Sequence, residues 1–473
     1  MMKHPPLDRS ATSISAGHAH PDDGSMTEVE FETIYPIAPS RRHGKPSDLF
    51  GLWFGANMTM LAVATGGVMR GEFHLTPLIA LLAALIGNAV GGVFMALHAA
   101  QGPHLGIPQM IQSRAQFGMI GAAPMTALIV LMFLGFAASN LVLGAQGLAM
   151  MLPFLGGRSG MIAIAVISAV PAVLGYRAIH RLTHYIALLC GGAILLCLSA
   201  VLFVPSAPSI ALTTGGHDTV SGSLGAISIA ALWQIAYAPY VSDYSRYLPQ
   251  TREGEKQAFH ATYWGCVLGS LVAMVVGALA GPAVNDRLIL CLGFAAAPVL
   301  GVLSLGLVVA NAMTLYCGAL SSITVLHTLA PTHRFGKNWR GAVTLVLLVL
   351  SFGLALLMAG RFETAYASFL ELLMSIMVPW SAINLLDYYI LRHGAYDLPS
   401  LFRRDGGMYG RYNVPALVAY TIGLASQVPF ISTGLYTGAM ARFLGGADLS
   451  WIAGLAVTSM IYLATARMSK HVR

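Results

Sequence analysis

The sequence predicts an all-α polytopic membrane protein with twelve transmembrane helices. Of its 473 residues, 56% are apolar and only 10% are charged, and the mean hydropathy is +0.70. Soluble domains carry about 25% charged residues, so a soluble globule of this length could not cover its surface. The apolar runs are continuous over roughly 20 residues, which is the length of a membrane-spanning helix, and they lack the alternation of barrel strands.

Polar residues dominate 1–48, which predicts a disordered tail without the apolar core of a secretory signal. Each apolar segment that follows is long enough for one helical span, and 294–327 is long enough to tilt or extend along the interface. The predicted spans are 49–69, 76–99, 123–152, 160–176, 182–205, 225–242, 260–281, 294–327, 341–359, 364–390, 413–433 and 444–466. The loops between them are too short for a soluble catalytic domain.

The distribution of Lys and Arg supports this count. Twelve spans place both termini on one side, and with the N-terminus inside, 21 of the 26 Lys and Arg fall on the inner side. The five outer cations are Arg70, Arg158, Arg287, Arg361 and Arg442. Such asymmetry follows the positive-inside rule, so both termini are predicted to be cytoplasmic and the net charge of +7 does not indicate nucleic-acid binding. The five cysteines contain no CxxC pair and are interpreted as reduced packing residues.

Two of the spans are interrupted. The first is rich in glycine around Gly55, and the sixth contains Pro239, whose missing N–H leaves the carbonyl of Ile235 without its helical partner. Freed backbone groups at membrane depth must bind something, and a ligand or an ion is one candidate. Corresponding breaks in spans 1 and 6 are typical of inverted-repeat transporters with a midplane site. The alternative is a proline kink with ordinary glycine packing.

Several stretches resemble one known family. WFGANMTMLAVATGG (53–67), APYVSDYSRYLP (238–249) and VPWSAINLLDYY (378–389) resemble the first, sixth and tenth helices of the purine–cytosine permease branch of the nucleobase–cation symporter family, and 135–146 is similar to its third. The resemblance implies a LeuT-type core of two inverted five-helix repeats in 49–390, with two additional helices in 391–473. It also implies uptake of a nucleobase-like ring coupled to a cation gradient.

A flat heteroaromatic substrate needs aromatic faces to stack on and polar groups that match its ring edge. Phe136 is the first stacking candidate, at the family's third-helix aromatic position. Trp233 and Tyr237 are four residues apart on span 6 and share a face, and the sequence does not choose between them. The polar candidates are Asn57, Asn140, Gln234 and Asn311, of which Asn311 resembles the family's substrate asparagine on the eighth helix. For each residue, helix packing or interhelical hydrogen bonding is the alternative.

The inner ends of the spans carry candidate gate residues. Asp243 and Arg246, three residues apart beyond Pro239, are predicted to form a gate pair or an interfacial helix end. Asp387 is predicted to be structural. The residues predicted to pack against this gate are Gln109, Ser113 and Arg114.

The coupling cation is predicted to be H⁺ rather than Na⁺. In the family, sodium-coupled members use Ser or Thr oxygens five or six residues before the substrate asparagine, where this chain has Leu305 and Gly306. Ser304 and the backbone near Gly55 remain the candidate ligands for Na⁺. Glu371 is the predicted proton carrier, because an intramembrane carboxylate is costly and burial favours its neutral form.

The predicted function is a secondary active transporter of the inner or plasma membrane that imports cytosine, a purine or a related heterocycle. It needs no cofactor or metal, and its partners are the substrate and the lipid bilayer. Another solute on the same scaffold, such as a hydantoin or allantoin, a thiamine precursor or an amino acid, is the first alternative. An integral-membrane enzyme or a channel is disfavoured, since the sequence has no HExxH motif, catalytic cluster or repeated filter.

Overall fold

The computed structural model describes residues 33–204, 213, 215–432 and 436–468, without the side chains of 361–368, 370–372, 374, 467 and 468. Within these ranges the regular secondary structure is helical, apart from one β-bridge between Ser432 and Thr437. The helices are α1 Pro46–Asn57, α2 Met60–Gly71, α3 Pro77–Leu105, α4 Gln109–Phe117, α5 Ala122–Met151, α6 Arg158–Leu174, α7 Tyr176–Phe203, α8 Val220–Ile235, α9 Val241–Ser245, α10 Arg252–Ala280, α11 Val284–Leu292, α12 Ala296–Leu329, α13 Lys337–Met358, α14 Phe362–Leu385, α15 Val414–Gln427, α16 Ala439–Phe443 and α17 Ser450–Met468.

All twelve predicted spans contain helix, which confirms the all-α fold class. Seven segments of the described chain are long and apolar enough to cross a membrane, and α1 with α2 makes an eighth if the bent pair is one span. The shorter apolar helices α6, α15 and α17 match predicted spans 4, 11 and 12, and α14 matches span 10. The predicted count of twelve agrees with this arrangement.

Both predicted helix interruptions are present. Helix α1 ends at Asn57 and α2 begins at Met60, with a bend of 54° between them. Thr59 caps α2, because its side-chain oxygen accepts from the backbone N–H of Ala62 at 3.4 Å. In the sixth span α8 ends at Ile235, and a 3-10 turn at Ala238–Tyr240 holds the proline before α9.

Two predicted loops are helical instead. Helix α6 ends at Leu174 and α7 begins at Tyr176, so the chain turns at Gly175 alone, whose φ of 103° favours glycine. The connection predicted at 101–122 contains α4, and every residue of α4 is buried. The polar side chains of α4 predicted a solvent-exposed loop, because the sequence does not show that they bind neighbouring elements.

Three span boundaries also differ from the prediction. The last span begins at Ser450 rather than at residue 444, and the short α16 precedes it. The span predicted at 294–327 is the 34-residue α12, with α11 as a separate short helix before it. The end of span 10 is a π-helix at Leu386–Leu391, a distortion that the hydrophobic pattern does not reveal.

The chain before α1 is anchored to the bundle at several residues of 33–45, within the segment predicted to be a disordered tail. Ile34 and Ile37 are buried, and the backbone N–H of Ile37 donates to the carbonyl of Gly106 at 3.0 Å. The hydroxyl of Thr33 donates to the carbonyl of Phe335 at 2.9 Å. Isolated apolar residues in a polar stretch therefore anchor this part, and the rest of the predicted tail, 1–32, lies outside the described residues.

Close packing of α5 against α12 sets the depth of the site residues. Gly147 lies against Ser304, and Gly318 lies against Phe133, so the two helices run antiparallel. Asn140 on α5 and Asn311 on α12 each lie midway along the helix between these two contacts. Both candidate asparagines therefore lie at the same depth in the bundle.

Gly277→Val is expected to destabilise the fold strongly. A Cβ at this position would lie 1.8 Å from the carbonyl oxygen of Val63, and backbone cannot yield as a side chain does. Overpacking costs about 1–3 kcal/mol even where side chains can move. The thermal unfolding midpoint in detergent should fall well below that of wild type. Gly353→Val is the control, because a Cβ added at Gly353 would meet no neighbouring atom within 4 Å. Equal midpoints for both variants would contradict this packing.

Candidate functional site

The two helix breaks meet inside the bundle. Trp233, in the last turn of α8, donates its indole N–H to the side-chain oxygen of Asn57, the last residue of α1, at 2.6 Å. Four residues before Asn57 and four residues after Trp233, the rings of Trp53 and Tyr237 lie 5.5 Å apart at 59°. The ends of two interrupted helices, where backbone groups lose helical partners, are thus held together by side chains from both.

Asn57 uses both ends of its carboxamide within the protein. Its oxygen accepts from Trp233, and its nitrogen donates to the carbonyl of Trp53 at 2.8 Å. Because the indole N–H only donates, this bond also decides which end of the amide is the oxygen. Asn57 holds the edge of the Trp233 ring in this structure, and its direct contact with a substrate stays a prediction.

Aromatic rings surround this junction. Trp233 and Tyr237 are both half-buried, and their rings meet edge to face at 6.2 Å. Tyr240 extends the cluster, with its ring 5.7 Å from Tyr237 and 5.2 Å from Phe133 of α5. The sequence reasoning missed Trp53, Tyr240 and Phe133. Trp53 had a signal, since it precedes Asn57 by four residues and so shares its face.

Helix α5 contributes the other predicted ring. Phe136 is half-buried, and its ring meets that of Phe369 on α14 edge to face at 5.2 Å. Asn140 follows one turn later and is buried. The two side chains therefore share one face of α5, as their spacing predicted.

Asn311 is completely buried on α12 and is hydrogen-bonded at only one end of its amide in the described part of the chain. Its nitrogen donates to the hydroxyl oxygen of Ser168 on α6 at 2.7 Å, whereas its oxygen has no partner there. An unpaired acceptor in an apolar interior costs about 1–3 kcal/mol, so this oxygen is available to the donor of a ligand.

Gln234 turns toward α3 and α10. Its amide nitrogen donates to Asn88 of α3 and to Ser270 of α10, both at 2.7 Å, and the Ser270 hydroxyl also donates to Asn88 at 2.6 Å. All three side chains are buried. The nitrogen of Gln234 thus joins three helices of the bundle, as polar residues in membranes commonly do. Its oxygen has no partner in the described part of the chain, so its contact with the substrate stays a prediction.

The predicted cation ligands point in different directions. Ser304 donates to the carbonyl of Leu300 at 3.2 Å and lies against Gly147 of α5. A Cβ on Gly55 would touch Ala187 of α7, at 2.6 Å. On α12, Gly306 lies at the break between α1 and α2. A Cβ added to it would lie 3.0 Å from the carbonyl oxygen of Met58.

Glu371 belongs to the helical backbone of α14, but its side chain lies outside the described residues. Its predicted role as a proton carrier therefore stays a prediction.

Residues 36–454 match the protein family described as "Permease for cytosine/purines, uracil, thiamine, allantoin". The chain belongs to the nucleobase:cation symporter family. The protein named "Putative purine-cytosine permease YxlA" of Bacillus subtilis is 35% identical over 444 residues, which cover 92% of this chain and 95% of that protein. The purine-cytosine permease fcyB of Emericella nidulans is 23% identical, over 87% of this chain and 83% of its own.

Solved structures show the same fold. The transporter Mhp1, closed with bromovinylhydantoin bound, superposes with a TM-score of 0.77 at 19% identity, over 92% of this chain and 95% of that one. Inward-facing Mhp1 gives 0.70 at 18% identity, over 94% and 96%. The permease is therefore an integral membrane transporter of the LeuT type and not an enzyme.

The predicted gate residues of the permease bind several elements at one end of the bundle. A side-chain oxygen of Asp243 accepts from the backbone N–H of Gln109 at 2.9 Å, which stabilises the N-terminus of α4. Arg246 is buried and donates to the backbone carbonyls of Asp243, at 3.2 Å, and Thr33, at 2.8 Å. It also donates to the hydroxyl of Tyr316 on α12, at 3.4 Å. The pair thus joins α9, α4, α12 and the chain before α1.

Arg114 and Asp387 are likewise buried at this end of the permease. Arg114 donates to the carbonyls of Leu401 and Thr324, at 2.9 and 2.8 Å. Burial lowers the pKa of Arg114 to about 9. Asp387 accepts from the hydroxyls of Tyr396 and Tyr462, at 2.6 and 2.8 Å, and pairs with Arg392 at 3.2 Å. Asp387 therefore has the structural surroundings that the sequence predicted. Ser113 accepts from the indole of Trp380 at 3.0 Å.

Gln234→Leu is expected to lower stability while sparing solute recognition. Removing the amide breaks two interhelical bonds, but Asn88 and Ser270 keep their bond to each other, so we expect a loss of about 1–3 kcal/mol. The thermal midpoint should fall, and the affinity of the folded fraction for its transported solute should stay within about threefold of wild type. Weakened binding at an unchanged midpoint would instead show that Gln234 touches the solute.

Proposed function

We propose that the permease is a symporter that imports cytosine, a purine or a related flat heterocycle, driven by a proton gradient across the inner or plasma membrane. The observation that carries this proposal is the meeting of two helix breaks beside the half-buried rings of Trp233 and Tyr237. Stacking on an aromatic side chain contributes about 1–3 kcal/mol per base in nucleic-acid proteins. Both termini are proposed to be cytoplasmic on the asymmetry of Lys and Arg.

Trp233 is the proposed stacking face on α8. Its edge is held by Asn57, which orients the indole plane and leaves the ring half-exposed. Tyr237 is less suited, because the rings of Trp53, Trp233 and Tyr240 already surround it within 5.5–6.2 Å. Phe136 on α5 is the proposed second face, with Asn140 and Asn311 binding the ring edge.

The chemistry of the site favours a neutral ring. The described candidate side chains are uncharged, and a zwitterionic amino acid would bring two charges that need partners in a desolvated pocket. The names of the relatives agree with a heterocycle, since that of Bacillus subtilis is named a putative purine-cytosine permease, that of Emericella nidulans a purine-cytosine permease, and Mhp1 was solved with bromovinylhydantoin. A hydantoin, allantoin or thiamine precursor is the alternative substrate. Uptake of radiolabelled cytosine and adenine into proteoliposomes, with unlabelled competitors, tests the proposal.

Phe136→Ala is expected to weaken substrate binding at least tenfold, whereas Phe136→Trp should retain it. Tenfold corresponds to about 1.4 kcal/mol, within the range for loss of one stacking partner. Equilibrium binding of labelled substrate to purified protein measures the effect. Phe154→Ala serves as the matched control, because Phe154 is 75% exposed outside the site. An unchanged Kd in Phe136→Ala would show that this ring does not stack on the substrate.

Proton coupling is proposed from the residues near the α1 break. Ser304 packs toward α5, and Gly306 next to the carbonyl of Met58 provides no side-chain oxygen for a sodium ion. Glu371 is an intramembrane carboxylate, a residue type that commonly carries protons in transporters.

Glu371→Gln is expected to abolish accumulation driven by a pH gradient and to spare exchange of labelled for unlabelled substrate. The amide cannot take up and release a proton, but it keeps the size of the carboxyl group. Glu72→Gln is the control, since Glu72 is exposed between α2 and α3. Uptake that requires Na⁺ and ignores an imposed pH gradient would overturn the proton assignment while leaving the substrate assignment intact.

A further inference from the structure

Ser168 on α6 lies directly behind the site asparagine. It is completely buried, and its hydroxyl oxygen is 2.7 Å from the amide nitrogen of Asn311. We infer that Ser168 is a positioning residue that fixes the orientation of the Asn311 amide, so that the permease recognises a ring edge with an N–H donor opposite the Asn311 oxygen. The inference rests on the proposed function, because it assigns Asn311 to the substrate edge.

The hydroxyl proton of Ser168 is already used within α6. The oxygen lies 2.8 Å from the carbonyl of Ile164 and 3.1 Å from that of Ala165. Both carbonyls are acceptors only, and a serine hydroxyl has a single proton to donate. With the proton on a backbone carbonyl, Ser168 offers Asn311 a lone pair, and the end of the amide that faces it is the nitrogen.

Inverting the amide would cost one of these hydrogen bonds. The Asn311 oxygen would lie against the Ser168 oxygen, and the hydroxyl would either give up the carbonyl of Ile164 to pair with it or leave two acceptors facing each other. Since both side chains are completely buried, no bulk water could pair with either oxygen. An isolated asparagine turns over to present a donor or an acceptor as the ligand requires, but this one is held in one orientation.

The oxygen that remains is the group the ligand meets. It is buried and has no partner in the described part of the chain, and Asn311 lies at the depth of Asn140 on α5. An acceptor in this position pairs with a ring N–H or an amino group and is repelled by a carbonyl or an unprotonated ring nitrogen. Amino-bearing and carbonyl-bearing rings present opposite orders of donor and acceptor at the corresponding edge, so a fixed amide discriminates between them.

The experiment compares Kd ratios rather than single affinities. Binding of cytosine against uracil, and of adenine against hypoxanthine, is measured on purified wild type, Ser168→Ala and Ser168→Thr. In Ser168→Ala the Asn311 amide is free to invert, so the ratio of the two Kd values within each pair should move at least fivefold toward one. Ser168→Thr keeps the hydroxyl and should restore the wild-type ratios, and Ser351→Ala controls for loss of a buried hydroxyl on α13.

The outcomes distinguish a failure of the role assigned to Ser168 from a failure of the proposed function. Unchanged ratios in Ser168→Ala, with or without a lower folded yield, would show that Ser168 only bridges helices and would overturn the inference. Asn311→Ala should weaken every ligand, and wild-type affinities in that variant would overturn both the inference and the site. If wild type binds a different solute and no nucleobase, the proposed function fails. The ratio is then taken between that solute and its N-methylated derivative, with the same expected loss of discrimination in Ser168→Ala.

Discussion

Every backbone polar group within the hydrocarbon must find its partner inside the protein, and the architecture of this permease depends on that constraint. Continuous helices satisfy it locally, but the two breaks, after Asn57 and after Ile235, do not. The protein places these breaks side by side and ties them with the bond between Trp233 and Asn57. Freed backbone groups are thereby concentrated at one buried location, which is where a polar ligand gains most from binding.

Small residues make that location possible. Without a hydrophobic driving force between helices in lipid, close contact of backbones must supply the packing. Gly66 and Gly277 let α2 lie directly on α10, and Gly147 and Gly318 let α5 lie on α12. The same approach that packs the bundle brings Asn140 and Asn311 to equal depth. Along α5 and α12, the depth of the site residues and the helix packing therefore rest on the same two glycines, Gly147 and Gly318.

Polar residues in the interior have two distinct roles here, and their partners separate them. Asn57 is bonded at both ends of its amide and fixes the position of α8. Asn311 and Gln234 are each bonded through the amide nitrogen, and each leaves a buried oxygen without a partner in the described part of the chain. The sequence could not distinguish these cases, because asparagine and glutamine within an apolar span have the same signature in either role. Packing sets the side to which each amide turns. That side decides whether the amide bonds neighbouring helices or binds a ligand.

The sequence by itself determined the membrane-spanning helices, their number and the two interruptions, because bilayer thickness and the missing N–H of Pro239 act locally along the chain. It also placed Phe136 and Asn140 on one face through helical periodicity. Only the tertiary structure decided that α4 is a buried helix and that 33–45 is anchored to the bundle, since partners distant in sequence satisfy those polar segments. It likewise revealed Trp53 and Ser168, whose neighbours come from other helices. Orientation of a buried amide depends on donors and acceptors contributed across the bundle, and no local pattern encodes it.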